Sequence, residues 1–192
     1  SGEENKNIDS CNLIWEQLTK NSFDRDSLLI NLGGGVIGDM GGFCASTYKR
    51  GIDFIQIPTS LLAMVDASVG GKLGVDFNGL KNQVGLFSNP KTVIINPKFL
   101  ETLPEDELRS GFAEVVKHAL IIDQNLWERL KNSSLLELDW EEIIETSVQI
   151  KNKIVISDPK EKGERKKLNF GHTFGHAIES YYLQKGTPIL HG

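Results

Sequence analysis

At 192 residues, with 39% hydrophobic and 24% charged side chains, the chain has the make-up of a soluble globular protein and enough length to bury a substantial core in one or two domains. Its 21 basic against 26 acidic residues give a net charge of −5, which argues against a general nucleic-acid surface while leaving room for a local basic pocket. No apolar run approaches the roughly 20 residues that span a bilayer, and Cys11 and Cys44 have neither framework nor metal-ligand spacing, so no membrane partner and a reducing cytoplasm are expected.

The polar start, 1–6, lacks an initiating Met and any signal-type apolar stretch, and the chain stops one residue after His191; both ends are expected to be cuts in a longer sequence. Ile8, Cys11, Trp15 and Leu18 form a helical stripe, followed by a polar connection over 21–26. Residues 28–32 read as a buried strand running into Gly33-Gly34-Gly35-Val36-Ile37-Gly38-Asp39, and a helix is expected from there through Tyr48. Residues 52–57 read as a second strand stopped by Pro58, and 92–95 as a third stopped by Asn96-Pro97. Strands alternating with helices predict a parallel sheet. After about Phe99 no convincing strand follows. Pro104 and the acids behind it open a helix to about Ile122, Asp139 opens another to about Ile156, and 169–182 is a third. The charged run 158–167 is most simply a solvated connection. The expected fold is α/β, with a nucleotide-binding parallel-sheet domain over 1–98 and an all-helical domain over 99–192.

Gly33, Gly35 and Gly38 satisfy GxGxxG directly after a predicted strand, where backbone N–H groups can approach a pyrophosphate at a helix N-terminus. A usual dinucleotide site also needs an acid at the end of the next strand. Asp53 has the right sequence separation but stands at that strand's start, whereas Pro58-Thr59-Ser60 is at the correct edge. Spacing alone leaves a nucleotide loop and a structural glycine turn about equally open.

Between Met64 and Phe87, Asp66, Lys72, Asp76, Lys81 and Asn82 sit among five glycines, at 70, 71, 74, 79 and 85. Such backbone can fold close around a small anion with lysines neutralising it; an ordinary flexible loop is the alternative. The last 21 residues hold three of the four histidines. His172 and His176 are four apart and would share one face of a helix. Imidazole suits a divalent transition metal, and a catalytic site needs about three protein ligands and an open position. Glu114, on another helical run, is the best carboxylate candidate. Geometry from sequence alone favours the local pair His172/His176, and an isolated pair of that spacing is more often a surface or core feature.

Taken together, these segments closely resemble the 3-dehydroquinate synthase family, of the sugar phosphate cyclase superfamily and the dehydroquinate synthase-like/iron-containing alcohol dehydrogenase-like fold. The resemblance runs in consistent order through Gly2-Glu3-x-x-Lys6, the glycine loop to Asp39, Pro58-Thr59, Met64-Val65-Asp66, Ser68-x-Gly-Gly-Lys72, Lys81-Asn82, Glu114-x-x-Lys117, Arg165, Asn169 and the histidine motifs. Ser60 stands where many members carry Thr, and the stretch from His176 to His191 is slightly longer than common. The family has further sequence at both ends, so the resemblance implies a central piece lacking an N-terminal strand and helix and the last part of the helical domain.

The resemblance implies an enzyme dependent on NAD and a divalent metal, usually zinc with cobalt possible, and usually a homodimer. It would convert the anionic sugar phosphate DAHP to 3-dehydroquinate and phosphate. NAD transiently oxidises the C5 hydroxyl, phosphate is eliminated, the hydride is returned, and an intramolecular aldol step closes the ring. By the same resemblance Glu114, His172 and His191 hold the metal. Lys72, Lys117, Lys151 and Arg165 surround phosphate and carboxylate in one cavity between the domains, and Asp66, Asn82, Asn169 and His176 orient hydroxyls or relay protons. The nucleotide lies on Gly34, Gly35, Val36, Asp39, Thr59, Ser60, Lys81, Phe99 and Thr102, with Glu3 and Lys6 at its ribose and Lys72 touching both ligands. Alternatives are another sugar phosphate cyclase, a metal-dependent NAD polyol dehydrogenase, which would need no such lysine cluster, or a non-catalytic nucleotide- or metal-binding remnant.

Overall fold

The structure is a computed structural model that describes residues 2–187 and 189–192. It divides into two compact units: the chain up to Thr59 with Ala67–Asn96, and Ser60–Asp66 with Pro97–Gly192.

In the first unit, helix α1 (Ile8–Lys20) starts where the Asn7 side chain accepts from Ser10 N–H at 3.0 Å, satisfying one of the otherwise unpaired first-turn donors. Strands β1 (Leu28–Gly33) and β2 (Asp53–Pro58), with the short strand β5 (Thr92–Val93), form a parallel sheet in the order β1-β2-β5. Helix α2 (Gly35–Thr47) packs Met40, Phe43 and Cys44 into a core with Cys11, Ile52, Phe54, Leu73 and Val75. The helix lies very close to the strands. A Cβ on Gly41 would meet Asn31 Oδ1 at 2.0 Å, and Gln56 Nε2 donates to Gly38 O at 2.9 Å. The expectation of a buried strand at 28–32 is corrected. Strand alternation leaves Leu28 45% exposed and both Ile30 and Leu32 57% exposed, on a sheet face left open among the described residues.

The glycine-rich lysine segment is a β-hairpin instead of a loop folded around an anion. Strands β3 (Lys72–Phe77) and β4 (Leu80–Phe87) pair antiparallel. The turn is Asn78-Gly79, both with positive φ (50° and 76°), as a tight two-residue hairpin requires. Leu73 and Val75, two apart, supply the buried face. Gly74 and Gly85 face each other across the pair, and a Cβ on Gly85 would come within 2.4 Å of Leu73 O.

The second unit is helical, with no strand among its described residues. Its helices are α3 (Glu105–Ile122), α4 (Gln124–Lys131), α5 (Trp140–Ser157) and α6 (His172–Gln184), with 3-10 turns at Pro97–Thr102, Leu135–Glu137 and Glu164–Asn169. Helix α4 is absent from the sequence reading. Only Leu126 and Leu130 mark its buried side, and the Asp123 carboxylate caps it through Leu126 N–H at 3.0 Å. Helix α6 begins at His172 instead of 169, because Gly171 (φ 85°) breaks the chain out of the preceding 3-10 turn. The run 158–167 is also more than a solvated connection. The Asp158 carboxylate gathers the N–H groups of Lys162, Gly163 and Arg165, and Arg165 ends only 2% exposed. No helix among the described residues is long and apolar enough to cross a membrane.

Gly111 lets α3 approach the backbone that carries Asp66: a Cβ there would lie 2.4 Å from Leu62 N and 2.7 Å from Leu61 Cβ. Gly111→Ala should therefore destabilise the fold by about 1–3 kcal/mol through overpacking. Urea unfolding at neutral pH tests this, and an unchanged midpoint would refute the close approach.

Candidate metal and anion site

Helix α3 carries Ser110, Glu114, Lys117 and His118 on one side, at the three- and four-residue spacings that put side chains above one another. All four are buried, Glu114 at 4% exposure and His118 at 0%. Buried charges must be paired, and here they are. Lys117 Nζ donates to Glu114 Oε2. From α5, Lys151 Nζ donates to the backbone carbonyl of Asp66 and, at 2.7 Å, to Asp66 Oδ1.

Burial pushes the Asp66 carboxyl up, but the ammonium groups of Lys151 and Lys117 outweigh it and hold Asp66 below the usual carboxylate range. Burial likewise opposes ionisation of Glu114, and the His191 ring and Lys117 overcome it. Lys151 is pushed down by burial, with Asp66 working against the shift. Burial takes His118 down to about 4, so its imidazole is neutral at pH 7. Its Nδ1 lies 2.5 Å from Ser147 Oγ. Its Nε2 has no hydrogen-bond partner and faces Asp66 Oδ1 at 4.0 Å.

The three C-terminal histidines lie together. Ring centroids are 5.0 Å apart for His172/His176, 5.1 Å for His172/His191 and 5.6 Å for His176/His191. One ligand nitrogen from each falls within 4.8 Å of the others. His191 Nε2 is 3.6 Å from Glu114 Oε1, an ion-pair separation longer than a hydrogen bond, and its Nδ1 is 2.8 Å from Glu179 Oε1. Burial and the nearby Lys117 push His172 down, which keeps it in the neutral form a metal needs, whereas Glu114 and Glu179 pull His191 up against burial.

The donor set fits a divalent cation. Imidazole nitrogens and an ionised carboxylate are suitable ligands, and His172 Nδ1 is buried with no hydrogen-bond partner. Glu114 itself already faces a cation, the Lys117 ammonium. Ring positions alone do not set His176 apart from the other two. Asp66, Glu114 and His118 also lie within 4.8 Å of one another, but there the two lysines already balance the carboxylates.

Of the four cations expected around phosphate, Lys117, Lys151 and Arg165 belong to this unit and Lys72 to the first. Arg165 donates to Pro159 O at 2.8 Å. Asn169 is exposed, and its amide donates to Glu161 Oε1 at 2.5 Å. Ser60 accepts from Ala63 N–H at 3.3 Å, and Phe99 and Thr102 lie in the turn Pro97–Thr102. In the first unit, Gly34 caps α2, whose first turn holds Gly35 and Val36, and Thr59 N–H donates to Gly33 O at 3.0 Å. Lys6 Nζ donates to Asp39 Oδ2 at 2.6 Å and to Asn82 Oδ1 at 2.7 Å. Glu3 lies exposed in the turn Glu3–Asn5, Lys72 opens β3 and Lys81 lies on β4.

Sequence reasoning missed His118, Ser147 and Glu179. Each stands a helical repeat from a residue it did select: His118 four after Glu114, Ser147 four before Lys151, and Glu179 seven after His172.

The family described as 3-dehydroquinate synthase N-terminal matches residues 1–110, and that described as 3-dehydroquinate synthase C-terminal matches residues 111–192. The chain belongs to the 3-dehydroquinate synthase family. It is 50% identical over 198 residues to the 3-dehydroquinate synthase of Parabacteroides distasonis, covering 100% of this chain and 55% of that protein. It is 52% identical over 194 residues to that of Clostridium beijerinckii, again covering 100% and 55%. The chain thus spans about half the length of these curated relatives. Among solved structures it is similar to ValA, the 2-epi-5-epi-valiolone synthase of Streptomyces hygroscopicus subsp. jinggangensis with NAD+ and Zn2+ bound (TM-score 0.89, 30% identity, 95% of this chain and 53% of that one). It is also similar to a 2-deoxy-scyllo-inosose synthase complexed with carbaglucose-6-phosphate, NAD+ and Co2+ (TM-score 0.86, 28% identity, 95% and 52%).

The buried neutral His118 predicts a pH dependence. An unfolded imidazole titrates near 6.5, so between that pH and about 4 the unfolded chain takes up a proton that folded His118 refuses. Stability should fall as pH drops through that window, by on the order of a few kcal/mol in all. His118→Gln should flatten this part of the profile in urea unfolding at pH 7, 6 and 5; a parallel profile would exclude His118 as its source.

Proposed function

We propose that this protein works as a 3-dehydroquinate synthase, converting DAHP to 3-dehydroquinate and phosphate with catalytic NAD and a divalent cation, zinc or alternatively cobalt. The observation that carries the reading is that a histidine cluster and Glu114 adjoin the buried ammonium groups of Lys117 and Lys151 within one helical unit. Cation ligands beside anion receptors are what a phosphorylated, hydroxyl-rich substrate requires. The NAD+ and Zn2+ or Co2+ named for the two related synthases support the same cofactors here.

When bound, the cation would polarise substrate oxygens and NAD would take up and return a hydride. Glu114, His172 and His191 would hold the cation. Lys117, Lys151 and Arg165, together with Lys72, would bind phosphate and carboxylate through charge-assisted hydrogen bonds and stabilise the charge growing on the departing phosphate. Asp66, held ionised by its lysine partners, could accept a hydrogen bond from a substrate hydroxyl, and Asn82, Asn169 and His176 would orient others. Residues 34–39, Thr59, Ser60 and Lys81 would follow the nucleotide, with Glu3 and Lys6 at its ribose. A cytoplasmic homodimer is the assembly that family membership supports.

The decisive assay is phosphate release from DAHP. Release should require NAD, stop on chelation and leave no net NADH; stoichiometric NADH beside product would mean a dehydrogenase and overturn the reading. Lys117→Met should lower turnover by roughly 100-fold or more, and unchanged kcat and KM would return Lys117 to a purely structural role.

Nucleotide binding can be tested separately. A Cβ on Gly35 would sit 3.4 Å from Ala67 Cβ, an ordinary contact, so only the further bulk of Gly35→Val should obstruct the loop. Calorimetry should find NAD binding lost in that variant and zinc binding kept. Retained NAD affinity would remove the glycine loop from the nucleotide site.

A further inference from the structure

His172 and His176 are held in place by the backbone of a helix, but His191 lies outside every helix and strand of the described residues. Its imidazole therefore needs anchors from elsewhere. Ser110 Oγ donates to the His191 carbonyl, which ties the backbone to α3. The ring is held by Glu179, which is only 7% exposed and lies on α6 two turns beyond His172. Its Oε1 is 2.8 Å from His191 Nδ1. With Glu179 ionised its carboxylate can only accept, so Nδ1 would carry the proton and donate. That leaves Nε2 as the nitrogen turned toward Glu114, 3.6 Å from its Oε1.

We infer that Glu179 is a positioning residue for the metal centre: its carboxylate fixes the tautomer and ring orientation of His191 so that Nε2 is presented as ligand. The inference rests on the proposed assignment of His191 as a metal ligand. A carboxylate behind a ligating imidazole also raises its basicity, and losing such a partner typically costs 10–100-fold in metal affinity. Glu179 is the side chain bonded to the far nitrogen of His191, and it comes from the same helix as His172, so one helix sets both imidazoles.

The test is zinc affinity, measured by competition with a chromophoric chelator, for wild type, Glu179→Gln, Glu179→Leu and His191→Ala. Glu179→Gln keeps size and packing but removes the charge and can present an N–H to the ring; its affinity should fall about 10–100-fold. Imidazole 15N shifts supply a readout that a merely structural role would not move. Wild-type His191 should be the Nδ1–H tautomer with Nε2 bound to zinc, and Glu179→Gln should mix tautomers in the zinc-free protein. Should Glu179→Leu fail to fold, the Gln variant and the wild-type spectrum decide the matter. If His191→Ala loses zinc while Glu179→Gln binds within twofold of wild type, the inference falls and the metal assignment stands. If His191→Ala also keeps wild-type affinity, the assignment falls and the inference with it.

Discussion

The ion pairs Lys117–Glu114 and Lys151–Asp66 set the terms for the helical unit. A charge moved out of water costs several kcal/mol unless it is paired and hydrogen-bonded, and removing one partner of a buried pair typically destabilises by about 3–5 kcal/mol. Lys117 and Glu114 are neighbours on one helix, so their pairing is local. Lys151 and Asp66 lie 85 residues apart in sequence, and their bond fastens α5 to the turn Ala63–Ala67. Lys117 and Glu114 are both buried, which raises the value of their pairing and the penalty for breaking it, whereas Asp66 keeps 27% of its side chain exposed beside a buried Lys151. A unit stabilised by apolar contacts alone would not need these four side chains. Their presence in the interior fits the preparation for a charged ligand proposed above.

That preparation is asymmetric. On one side are ammonium groups suited to oxyanions, on the other imidazoles and a carboxylate suited to a cation, and Glu114 belongs to both. Its Oε2 takes the proton donor of Lys117, while Oε1 faces His191. A single buried carboxylate thereby aligns the two halves, and any change in what one oxygen meets alters the field at the other. His118 completes the enclosure without adding charge. Burial keeps its ring neutral, so it fills space beside Asp66 and still offers a nitrogen in that direction.

Residues chosen for their chemistry were legible in the sequence wherever the motif was local. Glu114 and Lys117 are three apart and His172 and His176 four apart, so helical periodicity alone puts each pair on one face. The clustering of three histidines points to His191 in the sequence, but its assignment as a ligand comes from the family resemblance, because no helical periodicity connects it to His172, 19 positions earlier. The hairpin of β3 and β4 is concealed in the sequence because its glycines suggest a loop. They are instead what lets two strands approach closely at Gly74 and Gly85, and Asn78-Gly79 was the available turn signal. Burial at β1 is not legible for a related reason: an apolar run says that a strand can be covered on both faces, and only the assembled sheet tells which face is. Helix α4, with two buried leucines, carried too little periodicity to stand out.

The first unit applies the same economy of buried charge with a different result. Lys6, 4% exposed, precedes α1, yet its ammonium reaches Asp39 on α2 and Asn82 on β4, joining three segments that are distant in sequence. Asn82 is placed for this by a left-handed backbone (φ 51°) and by its own N–H bond to Asp76 Oδ1 at 2.7 Å. Asp76 N–H in turn donates to Lys6 O at 2.8 Å, which closes a ring of hydrogen bonds around the lysine. An ammonium has three N–H donors, and two are engaged here. The ribose contact proposed for Lys6 would thus use the third donor or displace an existing partner, and would in that case link the order of the hairpin to occupancy of the proposed nucleotide loop through one side chain.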